Sequence, residues 1–246
     1  MKYFDSHGHI NASFFKDDID SSIKATDFIL MPGTTKDDSL KGIALAKENK
    51  NLLAAAGIHP CEAKGKEYLF LNDINPNDVV AIGETGIDLH YDDNPSLEKQ
   101  IESFKFHIDY ALKHNKVLIV HMRDSYKEIY KVLSEHKDKG LKFIIHSFTG
   151  NYKEAMSFID LGGIISFSGI VTFKNAKDVH EAAMKIPLEK IICETDSPFL
   201  APVPYRGKSN KPEYVKYVVD HIATNRSEDD EVVKQTIFDN TNALFK

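Results

Sequence analysis

Cysteine is nearly absent from this chain: two in 246 residues, Cys61 and Cys193. Two thiols build no disulfide framework, so the fold must rest on an apolar core and the expected setting is the reducing cytoplasm. No apolar run approaches the length that spans a bilayer, so no membrane contact is expected. The segment Met1-Lys2-Tyr3-Phe4-Asp5 enters a charged, apolar strand without a signal-peptide core. No Gly-x-x-x-x-Gly-Lys loop, no dinucleotide Gly-x-Gly-x-x-Gly after a strand and no Cys-x-x-Cys pair is present. A basic excess is missing as well: 31 Lys and Arg against 37 Asp and Glu give a net charge of −6. That argues against a broad nucleic-acid groove. It says little about a small metal-rich pocket, where bound ions carry the local field.

What is present is an ordinary globular composition, 42% hydrophobic and 28% charged. Eight short apolar runs read as buried strands: 3–7, 28–31, 52–58, 79–83, 117–121, 143–146, 164–167 and 191–193. Several are continuous rather than alternating, as parallel strands covered on both faces should be. Amphipathic segments lie between most of them, at 39–49, 96–115, 125–136 and 152–161; residues 68–77 are less regular. Strand, loop and helix thus recur about every 25–30 residues, the spacing of a βα unit. With no repeat, low-complexity tract or linker, the expectation is one domain over 1–246. Its fold class would be α/β, a (β/α)8 TIM-type barrel with room for distortion and with extra C-terminal helices. An open doubly wound sheet gathers its chemistry at one switch point. Here polar groups end the first, third, fourth, fifth, sixth and eighth runs, which a closed barrel explains better. The proline-rich stretch 197–211 should drape over the mouth as a loop. Pro212 can open the first C-terminal helix, and Ser227 with Asp230 resembles a capping box for the second.

The residues at the strand ends carry the chemistry. His7-Gly8-His9 puts two imidazoles two residues apart, where both can reach one ion. Read alone the pair could be surface loop histidines; four more candidates at matching positions favour a metal. Glu84 follows Ala81-Ile82-Gly83, and a carboxylate there is costly unless paired or metal-bound. Its two oxygens can bridge two ions, though a salt-bridged core glutamate is the blander alternative. Asp88 reads as a supporting or loop-structuring group. His121 and His146 end strongly apolar strands and would supply a second metal. Asp196 can hold the first metal and accept a proton from an attacking water. Glu194, two residues earlier, should support a histidine ligand. His59 is a candidate for a substrate or phosphate contact, with a structural role at nearly equal weight. Arg123 and Arg206 are the basic groups best placed to hold a phosphate at the mouth.

Taken in order, these motifs resemble those of the TatD-type metal-dependent deoxyribonucleases. They are Asp5-Ser6-His7-Gly8-His9, Gly57-Ile58-His59-Pro60, Ile82-Gly83-Glu84-Thr85-Gly86-Ile87-Asp88, Val120-His121-Met122-Arg123-Asp124, His146-Ser147-Phe148-Thr149-Gly150 and Glu194-Thr195-Asp196-Ser197-Pro198. Arg206-Gly207-Lys208 and Asn240 with Leu244-Phe245 extend the match. The resemblance implies an amidohydrolase-type barrel. It also implies one ion held by His7, His9 and Asp196, a second by His121 and His146, and Glu84 between them. The cofactors would be two divalent metal ions: zinc, manganese or magnesium. Departures occur at Cys61, His107, Leu89-His90 and Lys211; they bear on substrate preference and leave the ligand set intact. The expected activity is phosphodiester hydrolysis of a nucleic acid substrate, DNA first, by a monomer, with Asp196 and Glu84 as catalytic groups. The alternatives are ester or amide hydrolysis on the same scaffold, such as aminoacyl-tRNA deacylation, and a non-catalytic metal-binding scaffold.

Overall fold

The structure, a computed structural model, describes residues 2–245. Met1 and Lys246, the ends of the expected domain, lie outside the described residues. Eight strands pair in parallel, in chain order: β1 (Phe4–Asp5), β2 (Phe28–Met31), β3 (Leu52–Ala56), β4 (Ala81–Asp88), β5 (Val117–Arg123), β6 (Phe143–Ile145), β7 (Ile164–Phe167) and β8 (Ile191–Cys193). The last meets the first through the backbone. The Ser6 N–H donates to the Cys193 carbonyl, the Asp196 N–H donates to the His7 carbonyl, and Gly8 bridges Ser197. The result is the expected (β/α)8 barrel.

The apolar runs sort by parity. Leu30, Ala55, Ala81, Ile119, Ile144 and Ile192 pack inside the barrel with Phe4. Their chain neighbours Ile29, Met31, Ile82, Leu118, Val120, Ile145 and Ile191 face outward, under the helices. Both faces of each strand are therefore dry, which is why the runs are continuous. The covering helices are α1 (Ile19–Ala25), α2 (Lys36–Glu48), α3 (Leu97–His114), α4 (Tyr126–Ser134), α5 (Tyr152–Asp160) and α6 (Lys177–Lys185). Local chemistry sets their ends. Thr35 caps α2 by accepting the Asp38 N–H, and Asn151 with Glu154 forms a capping box on α5. Asn115, at φ 49°, ends α3 in the left-handed conformation. The irregular stretch after β3 folds as three 3-10 turns, Pro60–Glu62, Glu67–Asp73 and Pro76–Asp78, rather than as a barrel helix.

Two further helices follow, α7 (Val215–Asn225) and α8 (Asp230–Phe245). Pro212 opens a single 3-10 turn ahead of α7. The cap of α8 corrects the sequence reading: Asp229, not Ser227, accepts the first free amides, from Glu231 and Val232. The Ser227 hydroxyl instead donates to Glu228. Helix α8 closes the strand-start end of the barrel. Phe245 packs on Phe4 at 5.9 Å between ring centroids, and Phe238 on Phe28 at 6.2 Å. The Asn240 amide ties this helix to the carbonyls of Leu188 and Ile191. Among the described residues no helix is long and apolar enough to cross a membrane.

Candidate metal centre

The opposite end of the barrel collects the polar groups. Two residues beyond inward-facing Ile119, Ile144 and Ile192 stand His121, His146 and Glu194, so strand parity aims all three into the mouth. Glu84 reaches it by a different device. Ile82 pairs with Leu118 and Thr85 with Val120, so Gly83 and Glu84 together oppose the single residue Ile119. Without this bulge Glu84 would share the outward parity of Ile82; the extra residue turns it inward. Gly83 makes the bulge possible. Its φ is +133°, and a Cβ there would lie 2.6 Å from the Ile119 carbonyl.

His7 and His9 correct the simple strand picture. Strand β1 stops at Asp5, and both imidazoles stand on the extension beyond it. That extension is held by Gly8 N–H to the Leu30 carbonyl and His9 N–H to the Ser197 carbonyl. Gly8 is required because a Cβ would sit 2.8 Å from Asp5 Oδ2. The fully buried Asp5 carboxylate accepts from the Thr195 N–H at 2.8 Å, the Thr195 hydroxyl at 2.6 Å and the His7 N–H at 3.3 Å. It thereby locks the ends of β1 and β8 together. The sequence reading missed this role, although Asp5 lies inside the first motif.

The side chains form two clusters that share Glu84. In the first, His7 Nε2 and His9 Nε2 are 3.2 Å apart, His9 Nε2 is 3.2 Å from Asp196 Oδ1, and His7 Nε2 is 3.2 Å from Glu84 Oε2. In the second, Glu84 Oε1 is 2.8 Å from His146 Nε2 and 2.9 Å from His121 Nδ1, and those nitrogens are 3.3 Å apart. Donors about 2.0–2.1 Å from one tetrahedral ion lie about 3.3 Å from each other. The donor pairs scatter about that spacing, from 2.8 Å for His146 Nε2–Glu84 Oε1 to 3.9 Å for His7 Nε2–Asp196 Oδ1, with the imidazole and carboxylate donors that divalent transition metals accept. Among the described residues, His7, Glu84 and His146, His7, His9 and Asp196, and His59, Asp88 and His121 are groups whose atoms lie close enough to hold an ion.

Outer partners fix which nitrogen His121 and His146 present. Asp88 Oδ2, 2.9 Å away, can only accept from His121 Nε2, which leaves Nδ1 facing Glu84. Glu194 Oε1 takes the His146 Nδ1 proton at 3.2 Å, leaving Nε2 inward. His59 is different. Its Nε2 lies 3.5 Å from Glu84 Oε1 and 3.3 Å from His121 Nδ1, among the cluster atoms. Yet its Nδ1 accepts the Cys61 backbone N–H at 3.2 Å. A backbone amide can only donate, so in the neutral ring the proton sits on Nε2. His59 offers the mouth an N–H, not a lone pair. His107 supports it from below: its Nε2 accepts the Ile58 N–H and its Nδ1 donates to the Ser103 carbonyl.

The electrostatics follow from burial and crowding. Burial opposes ionisation of Glu84, but the imidazoles of His146, His59 and His7 and the His121 hydrogen bond hold it well below the usual carboxylate range. Asp196 is likewise lowered against its burial, first by the His9 hydrogen bond. Burial would also lower His121 and His146, but Asp88 and Glu84 raise the first, and Glu84 and Glu194 raise the second well above the ordinary histidine value. Burial and the neighbouring His121 push His59 down to about 3. Burial, then the charges of Asp88 and Glu84, push the Cys61 thiol up to about 12, so it presents no thiolate.

The two arginines do not join the clusters. Arg123 is exposed at the end of β5, donates to the Tyr91 hydroxyl at 2.9 Å and lies 4.9 Å over that ring. Arg206 lies 4.2 Å over Phe173. Both are held on aromatic faces.

The sequence model described as TatD related DNase matches residues 4–246. The chain belongs to the TatD related DNase family. It is 36% identical to the metal-dependent hydrolase YcfH of Escherichia coli, with all of this chain and 96% of that protein aligned. It is 33% identical to the metal-dependent hydrolase YabD of Bacillus subtilis, covering 99% of this chain and 98% of the relative. The solved structure of the TatD homologue YjjV of Escherichia coli superposes with a TM-score of 0.89 at 26% identity, covering 99% and 97% of the two chains. The chain is thus a metal-dependent hydrolase of the TatD family.

Proposed function

We propose that this hydrolase is a deoxyribonuclease that cleaves phosphodiester bonds with two divalent ions. The observation that carries the reading is the split of Glu84: Oε2 faces His7 while Oε1 faces His121 and His146. One ion would be held by His7, His9 and Asp196, the other by His121 and His146, with Glu84 shared. When bound, such a pair lowers the pKa of water and neutralises charge on the attacking and leaving oxygens of an in-line displacement.

The chain's own residues do the rest. Asp196, kept ionised, accepts the proton of the attacking water. Glu84 stays an anion and fixes the two clusters relative to each other. His59 donates its Nε2 proton to a phosphate oxygen at the mouth. Arg123 and Arg206, pre-oriented on Tyr91 and Phe173, supply the flanking positive charge. The family description supports a nucleic acid substrate.

The test compares protein purified without chelator, after metal analysis, on a deoxyoligonucleotide and on an acyl ester. Metal-dependent cleavage of the oligonucleotide, lost in Asp196→Asn, is the expected result. Esterase activity without phosphodiester cleavage would instead assign the scaffold to acyl transfer.

A further inference from the structure

Two aromatic rings beside the first cluster take no part in the hydrolytic chemistry. Phe14, in the loop after β1, and Phe199, in the loop after β8, are 37% and 49% exposed. Their centroids lie 5.3 Å apart, and both rings adjoin His9, at 5.4 Å and 6.3 Å. They form an apolar shelf against the His9 imidazole of the candidate metal centre.

The shelf is held in place. The Phe199 N–H donates to the Asp196 carbonyl at 2.8 Å, and its own carbonyl accepts the buried Asn210 amide at 2.6 Å. Phe14 stands between buried Ala12 and Phe15. The Ser209 hydroxyl donates to Asp17 at 3.1 Å, joining the two loops. Two other rings near the mouth are already covered: exposed Tyr91 by Arg123 and half-buried Phe173 by Arg206. Among the described residues no cation lies over Phe14 or Phe199.

We propose that Phe14 and Phe199 form the stacking site for one unpaired nucleobase next to the scissile phosphate. The proposal rests on the phosphodiester reading and names how that site selects its substrate. A nucleobase has the flat, polarisable face that such rings bind, whatever its sequence. A base inside a duplex has both faces covered by its neighbours, so the shelf takes a base that is unpaired or drawn out of the stack. A phosphate placed over His7, His9 and Asp196 carries its flanking base toward the rings that border His9.

Two measurements test this. In the first, metal-loaded protein cleaves an oligodeoxynucleotide and copies of it with one abasic residue at each position flanking the mapped cleavage point. The wild type should favour the intact strand over one abasic copy by about 5- to 150-fold in kcat/KM, the range for loss of one aromatic stack. In Phe14→Ala and Phe199→Ala this ratio should fall toward one, and Phe199→Tyr should restore it. In the second, Phe199→Trp introduces the sole tryptophan of a chain that has none. Its emission should be quenched on mixing with the intact oligonucleotide and not with the critical abasic copy. A ratio unchanged in both alanine variants, or equal quenching by both strands, overturns the proposal. If the wild type cleaves neither strand, the phosphodiester reading falls instead, and quenching of Phe199→Trp by the intact strand against a fully abasic strand of the same length still decides whether the shelf takes a base.

Discussion

His59 differs from His121 and His146 through one hydrogen bond of the opposite sense. Carboxylates take a proton from the outer nitrogen of His121 and of His146, so each can turn a lone pair inward. The Cys61 amide gives a proton to the outer nitrogen of His59, so that ring turns a proton inward. Its burial keeps it neutral near pH 7, with a pKa of about 3. Distance alone would make it a ligand; donor sense supports the proposed role of a hydrogen-bond donor to substrate. His59→Ala should therefore lower kcat by about 10²-fold, as loss of one oxyanion donor does, while the metal content per chain stays that of the wild type. His59→Gln, which keeps an N–H at similar reach, should recover part of the rate. His146→Ala should lower the metal content itself. Loss of an ion in His59→Ala, measured by elemental analysis, would make His59 a ligand.

At the scale of elements, the bulge in β4 decides where the shared carboxylate points. Gly83→Ala must bring a methyl group against the Ile119 carbonyl at a backbone angle that L residues rarely adopt. The bulge should open or slip, and Glu84 should swing toward outward parity. We expect a stability loss of about 1–3 kcal/mol by chemical denaturation and metal binding weakened by at least about tenfold. Wild-type metal affinity in a folded Gly83→Ala would show that the bulge does not set the position of Glu84. This element also marks how much was legible beforehand. Runs 28–31, 164–167 and 191–193 match their strands residue for residue, because burial on both faces leaves a continuous apolar signature. His121, His146 and Glu194 were legible by parity from the apolar residues before them. The route of Glu84 was not, since a bulge changes pairing without changing composition. Nor was the early end of β1, whose extension is held by contacts from Leu30 and Ser197, far away in sequence. The Asp5 lock was hidden for the same reason: its partner Thr195 is 190 residues away. Phe14 and Phe199 gave no signal, because an exposed ring and a buried one look alike in a sequence.

Across the whole molecule, the candidate metal centre spans the barrel seam. His7 and His9 belong to the end of β1 and Asp196 to the end of β8, where backbone pairing is limited to a few contacts. Through Glu84, His121 and His146 the same centre reaches β4, β5 and β6. Ions bound there would staple strands around half the mouth, so their removal should be felt globally rather than in one loop. At free metal about 100 times Kd, one site adds about 2.7 kcal/mol, or about 5–10 °C in Tm for a chain of this size. The pH dependence has a definite sign. In the metal-free protein the raised values of His146 and His121 mean that their protonated forms stabilise the fold fully below the ordinary value of 6.5. That contribution is lost as pH rises through the raised values. Glu84 and Asp196 are depressed, so their contribution is already complete above the ordinary carboxylate range and constant near neutrality. Metal binding must displace the histidine protons, so it strengthens over the same rise in pH. These are one proton linkage seen from the two forms, and it widens the gap between them. Differential scanning of metal-loaded and metal-free protein should show a Tm difference that grows from about pH 6 to about pH 8. His7, His59, His107 and His221 are lowered and change stability in the opposite sense, so the readout is the difference between the two forms and not the stability of the metal-free protein alone. A difference that stays constant or narrows would mean that these histidines do not exchange protons for metal, and the assignment of His121 and His146 as ligands would fall.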